Sequence, residues 1–340
     1  MTTTPSAYPL LCKPVLKPKI WGGRKLEKLF GMELPPGGKI GEAWIVADLA
    51  EGSSLVANGA LAGRTLSEAA RLWGESLIGP AWRGKPTGGR FPLLVKFLDA
   101  QDDLSVQVHP DETACKAFFP RDFSKDESWI VLDSEPGGSI LHGFKDGVTL
   151  ADFDRLLAEG NVVECMRCVE VKPGDLFRVA PGMAHALRKG VAILEIQEPS
   201  DSTFRIYDYG RMGEDGKPRP LHVDAARRVM RFGKDQPAPP RPVVRHAPWG
   251  LHTRMVDVAA YRIEKLQIRS EVSWTVDPRS AQALILLGGG LRLESGAGVL
   301  ALKAGDAVIL PATLGGVRAA SQGAEAEAVL AGAGEVPMVM

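Results

Sequence analysis

Glycine and proline punctuate the whole chain. Its 340 residues include 38 Gly and 25 Pro, spread along the sequence rather than clustered. Together they make 63 residues, against an ordinary combined share of ~12 %. A chain interrupted so often folds as short strands joined by tight turns. Helical spacing is confined to three stretches. Residues 65–77 (TLSEAARLWGESL) open on Thr65 with Glu68 three residues later, a capping-box pattern, and repeat apolar residues at helical intervals. Residues 149–160 start on another Thr, carry their acids early and stop at Gly160; residues 222–232 form the third. Strands are predicted over 40–48, 92–100, 104–109, 128–133, 175–181, 192–198 and 203–209.

The stretch 233–243 (GKDQPAPPRPV) carries four prolines and cannot pair within a sheet, so it reads as a connector. It divides the chain into 1–235, which holds nearly all the reactive side chains, and 236–340, short apolar runs alternating with Gly-rich turns. A faint repeat links the two parts. KPGDLFRVAPG (172–182) is echoed by KAGDAVILPA (303–312), but only the first copy leads into a histidine, His185. The echo predicts two related β-units, of which only the first can hold a metal.

Forty-one basic residues balance forty-one acidic ones. No overall field attracts nucleic acid or an anionic membrane. No apolar run reaches the length of a membrane span, and Pro9, Lys13 and Pro14 interrupt the N-terminal segment, which argues against a secretory signal. Four cysteines are too few for a disulfide framework in a chain of this size. A cytoplasmic protein, monomeric or homodimeric, is expected. Cys165 and Cys168 form a CxxC, but no second pair and no following helix accompany it, so it reads as two thiols on one short strand. RRVMR (227–231) reads as the exposed face of a helix.

The chemistry concentrates in PLLVKFLDAQDDLSVQVHPD (92–111). Alternate side chains of a strand share a face, so Ser105, Gln107 and His109 project one way and Val106 and Val108 the other. By itself that pattern is a polar face backed by a buried valine face. Glu127, ahead of an apolar strand, and His185, after a Pro-Gly turn, complete a set of two imidazoles, a carboxylate and an amide. Such donors suit a borderline divalent cation. Lys96 reads as an exposed lysine on its strand, and Arg205 as one rung of a surface ladder with Tyr207 and Tyr209. Glu195 and Gln197 share a face and are candidates for orienting a ligand imidazole.

Four segments in order carry a wider likeness: PLLVKFLDAQDDLSVQVHPD, KDESW, PGMAHAL, and EIQEPSDSTFRIYDYGR followed by LHVDAA. With WGG (21–23) and GEAW (41–44) as early landmarks, residues 8–232 resemble the type I mannose-6-phosphate isomerases, in their shorter bacterial form. The region beyond 240 matches poorly. Two positions depart from the family pattern, HPDE for HPDD and SWIVL where an aromatic commonly follows the tryptophan; neither touches a proposed ligand. The resemblance implies a mainly β cupin fold: a jelly-roll-type antiparallel barrel with helical insertions, and a second, divergent C-terminal unit without metal. It implies one Zn2+ per chain held by Gln107, His109, Glu127 and His185, and the interconversion of mannose 6-phosphate and fructose 6-phosphate. It also implies active-site roles for Arg205, Asp201 and Lys125.

Those residue types suit the chemistry. Moving a proton between adjacent carbons through a cis-enediol(ate) needs a Lewis acid and a proton carrier. Anchoring a phosphoryl dianion needs arginine or lysine, and Lys96 and Ser105 are the phosphate candidates. Two other readings use the same residues. Two histidines and a glutamate also hold Fe(II) in cupin oxygenases. A non-catalytic sugar-binding relative would be expected to lack a ligand or Arg205, and none is missing.

Overall fold

The structure, a computed structural model, describes residues 6–85, 87, 89–213, 216–233, 236 and 238–338. Lys234, Asp235 and Pro237 of the expected connector, and with them the boundary at 235, lie outside the described residues. So do residues 1–5 of the segment read for a secretory signal.

Four of the five antiparallel sheets among the described residues stack face to face, the fifth being the two-stranded ribbon of Asp48–Leu49 and Gly52–Ser53. The first has five strands, in the order Met166–Glu170, Ser139–Phe144, His185–Leu187, Val106–Val108, Phe204–Tyr207. The second has six: Leu176–Val179, Glu127–Ser134, Val191–Gln197, Leu94–Ala100, Ile40–Val46, Val15–Gly23. The third, of eight strands, is built mainly from residues beyond 240, and the fourth, of four strands, entirely so. Outside the first sheet, the helices Leu150–Ala158 and Val223–Val229 cover its apolar side, where Val106 and Val108 join Phe144, Phe153 and Ala226.

Period-two alternation decides which side chains enter each layer. On the six-stranded sheet, Val95, Phe97, Ile130, Leu194 and Ile196 point to the eight-stranded sheet and meet Tyr261, Ile263, Ile285, Ile309 and Val329. The opposite face carries Glu127, Trp129, Glu195 and Lys96 toward the five-stranded sheet, and Trp129, Leu98 and Ile193 close one end of that layer with Leu187 and Ile140. One wall thus separates an apolar joint from a layer that is apolar at one end and polar at the other.

The mainly β expectation agrees with this architecture, and every predicted strand is present. The barrels are not closed, because hydrogen bonding does not run continuously from one sheet to its partner. Pro18 in the edge strand Val15–Gly23 has no N–H to extend the ladder. The echoed sequences form the same turn twice. The N–H of Lys172 donates to Asp175 Oδ2 and that of Lys303 to Asp306 Oδ2, both at 2.9 Å. Gly174 and Gly305 both adopt φ +91°, which a side chain would oppose. The C-terminal layers also take in the start of the chain. Leu10–Lys13 pairs with Ala307–Leu310, so the eight-stranded sheet is completed by the N-terminus.

Candidate metal centre and active-site cavity

Strand register assembles the centre. In the five-stranded sheet, His185 lies opposite Gln107, and Gln107 opposite Arg205, a row of inward side chains. In the six-stranded sheet, Glu127 lies opposite Gln197, while Trp129, Glu195 and Lys96 form the next row. His109 follows directly on Val106–Val108, where Asp111 caps the helix Glu112–Phe118 by accepting from the Ala114 N–H.

His109, Glu127 and His185 converge with donor atoms within 4.8 Å of one another, all buried. Glu127 Oε2 is 3.5 Å from His109 Nε2, and Oε1 is 3.3 Å from His185 Nε2. Each ring donates its Nδ1–H to a backbone carbonyl, His109 to Ser202 and His185 to Met183, both at 2.9 Å. That fixes the tautomer and aims both Nε2 lone pairs at the same point. His109 Nε2 and both Glu127 oxygens are buried without a hydrogen bond, Oε2 having only its ion pair to Lys125. Orphaned acceptors are costly in an interior unless a cation satisfies them. The Gln107 amide lies 3.2 Å from His185 Nε2, and a 180° turn of that amide presents its oxygen instead of its nitrogen. A third histidine, His142, sits opposite His185 but is committed to the Arg178 carbonyl at 3.0 Å.

Electrostatics prepare the same site. Burial lowers the proton affinity of both imidazoles, with Lys125 adding to the effect at His109, and His185 falls to about 3. Burial alone would raise the Glu127 carboxyl, but Lys125 and the two histidines hold it well below the usual carboxylate range. Two neutral imidazoles and a carboxylate at neutral pH are the protonation states that a metal requires.

Beside the cluster opens a cavity of about 240 Å³, with Ser105, Gln107, Lys125, Asp201, Arg205 and Lys96 in its wall. Lys125 Nζ is 3.0 Å from Glu127 Oε2. Lys96 is not the exposed lysine expected from its strand. It is 4 % exposed, 3.2 Å from Glu195 and 3.8 Å from Glu42. Burial disfavours its charge, but those two carboxylates outweigh burial and keep it protonated. Arg205 is likewise no surface rung. It is half-buried in the cavity wall and donates to the Pro220 carbonyl at 2.9 Å. Glu195 and Gln197 do not orient the imidazoles. Glu195 accepts from Trp129 Nε1 at 2.9 Å, and Gln197 donates to the Glu198 and Ser200 carbonyls.

Lys19, Glu42, Thr203 and Arg219 also line the wall and were not singled out from sequence. Their available signal was slight, since Glu42 lies in the GEAW landmark but nothing local marks the others. Elsewhere, Cys165 is buried, Cys168 is exposed, and both are free thiols. The basic run 227–231 is engaged within the fold, with Arg227 paired to Asp154 and Asp224 and Arg231 to Asp111.

Stacked antiparallel sheets enclosing a buried His–Glu–His cluster define a cupin-like protein with an interior candidate metal site. The phosphomannose isomerase type I catalytic domain matches residues 10–128 of this chain. The chain belongs to the mannose-6-phosphate isomerase family. It is 36 % identical to mannose-6-phosphate isomerase ManA of Bacillus subtilis over 90 % of this chain and 94 % of that protein. It is 34 % identical to the mannose-6-phosphate isomerase of Streptococcus mutans, over 91 % of this chain and 94 % of that one. The crystal structure of the Bacillus subtilis mannose 6-phosphate isomerase superposes with a TM-score of 0.85 at 29 % identity, covering 95 % of this chain and 99 % of that one. Among the described residues no helix is long and apolar enough to cross a membrane.

Proposed function

We propose that this chain interconverts mannose 6-phosphate and fructose 6-phosphate through a cis-enediol(ate), with one Zn2+ held by Gln107, His109, Glu127 and His185. The observation that carries the reading is the convergence of His109 Nε2 and the Glu127 carboxylate, buried and without a hydrogen bond, beside a cavity lined by five cationic and three carboxylate side chains. The donor set fits zinc, which takes imidazole and carboxylate and leaves a position open at catalytic sites. When bound, zinc supplies a Lewis acid that polarises the substrate oxygens.

The remaining work falls to the chain's own side chains. Lys125 and Asp201, in the same wall, are assigned to proton movement between the two carbons. The Arg205 guanidinium stabilises the negative charge that develops on the oxygens. Ser105 and Lys96 are assigned to the phosphoryl group. Because Glu195 and Glu42 already match the Lys96 charge, the wall's excess of cations over carboxylates supplies the rest of the attraction. Burial and nearby Glu127 push the Glu195 carboxyl up, against the pull of Lys96 and Lys125. The cytoplasm is the proposed compartment, since all the cysteines are free thiols.

Metal analysis joined to a coupled assay on mannose 6-phosphate tests this reading. Stoichiometric zinc with turnover is expected. Iron content with oxygen uptake would favour an oxygenase, and sugar binding without turnover a non-catalytic relative.

A further inference from the structure

The C-terminal layers hold no metal cluster among the described residues, yet one of their side chains reaches the metal-ligand strand. Tyr261, fully buried at the apolar joint, donates its hydroxyl to Asp126 Oδ1 at 2.8 Å and lies 2.9 Å from Ser128 Oγ. Asp126 and Ser128 flank Glu127. Alternation sends them to the back of the sheet while Glu127 and Lys125 face the cavity. Arg178, on the neighbouring strand, also grips Asp126, its Nε donating to the same Oδ1 at 3.1 Å and its Nη2 to Oδ2. Glu127 is the first residue of its strand, and the segment before it is held from its own layers, the Asp126 carbonyl accepting from the Glu198 N–H at 3.1 Å and the Asp126 N–H donating to Glu198 Oε2 at 3.0 Å. From the C-terminal layers a single phenol adds a bridge between the residues before and after Glu127.

We propose that Tyr261 is a positioning residue, through which the C-terminal layers fix the strand position of Glu127 and hence the metal affinity of the centre. This rests on Glu127 being a ligand, as assigned above. The hydroxyl chain Ser128–Tyr261–Asp126 is closed, buried and charge-assisted at its Asp126 end, so it holds the strand entry in one place. Removing the phenolic oxygen leaves ring packing intact and takes away the one bridge between Asp126 and Ser128, leaving Arg178 and Glu198 to hold Asp126.

Tyr261→Phe, Ser128→Ala and Glu127→Gln are compared with the parent for zinc affinity, using Zn2+ alone in competition with a chromophoric chelator, and for kcat and KM. Tyr261→Phe is expected to weaken zinc about 10- to 100-fold, the usual effect of losing a residue behind a ligand, and to lower kcat more than it raises KM. Ser128→Ala, which cuts the same chain at its other end, is expected to move both in the same direction by less. Val329→Ala, a cavity in the same joint away from the chain, controls for stability. It is expected to lower Tm while leaving zinc affinity unchanged. If Tyr261→Phe loses Tm like Val329→Ala but keeps parental zinc affinity and kcat, while Glu127→Gln loses zinc, Tyr261 is merely structural and the inference falls. If Glu127→Gln itself keeps parental affinity, the assignment of the metal centre fails, and this inference with it.

Discussion

His185 has no exposed surface, and burial keeps its ring neutral down to about pH 3. An imidazole in the unfolded chain titrates near ~6.5. Between those values the unfolded chain binds more protons than the folded one, so stability rises with pH across that window and is fully present above it. His109, also depressed, acts with the same sign, and so does Glu127 below the ordinary carboxylate range. The metal-free protein should therefore lose Tm steadily as pH falls from about 6.5 toward 4. A flat profile would mean that the rings are not held neutral. His185→Ala should abolish zinc binding and turnover together, as read by metal content and the coupled assay. Arg205→Ala should keep the metal and lower kcat by about 10²–10³-fold; undiminished turnover would refute its role. At this scale the sequence was informative where one strand or one turn holds the signal. Gln107 and His109 share a face by alternation, and His185 follows a Pro-Gly turn. Glu42, Lys19 and Arg219 were invisible because their meeting depends on pairings between distant strands.

Elements were legible in proportion to their length and their caps. The predicted capping box is real: the Glu68 N–H donates to Thr65 Oγ1 at 3.1 Å, and the Thr65 N–H donates to Glu68 Oε2 at 2.7 Å. The helix predicted over 65–77 nevertheless breaks at Gly74, whose φ of +52° ends Leu66–Trp73 before a further turn at Glu75–Ile78. The short helices Lys25–Phe30 and Glu112–Phe118 went unnoticed because fewer than two turns show little periodicity. Thr65→Ala should cost about 1 kcal/mol, measured by chemical denaturation, with unchanged kcat. No loss of stability would mean that the cap contributes nothing there.

The whole molecule is joined by apolar contact more than by its connector. The back of the six-stranded sheet and the front of the eight-stranded sheet share one core, and Leu10–Lys13 crosses to the C-terminal layers to pair with Ala307–Leu310. Residues 1–235 and 236–340 are proposed as units of the fold, but these contacts argue that neither is stable alone. Residues 1–235 expressed separately should expose Val95, Phe97, Ile130 and Ile196 and aggregate, and the intact chain should unfold in one transition by calorimetry. A soluble, zinc-binding fragment would contradict this. The proline-rich stretch marks where the chain passes between layers, but proline content carries no information about how much apolar surface lies on either side. Cooperation between the layers matters most at the cation, where donors from both inner sheets must meet. X-ray absorption at the zinc edge of the loaded protein measures that meeting directly. One zinc per chain is expected, in a shell of imidazole nitrogen and oxygen at ~2.0–2.2 Å. A shell containing sulfur at ~2.3 Å, as Cys165 and Cys168 would give, or one without imidazole, would contradict it.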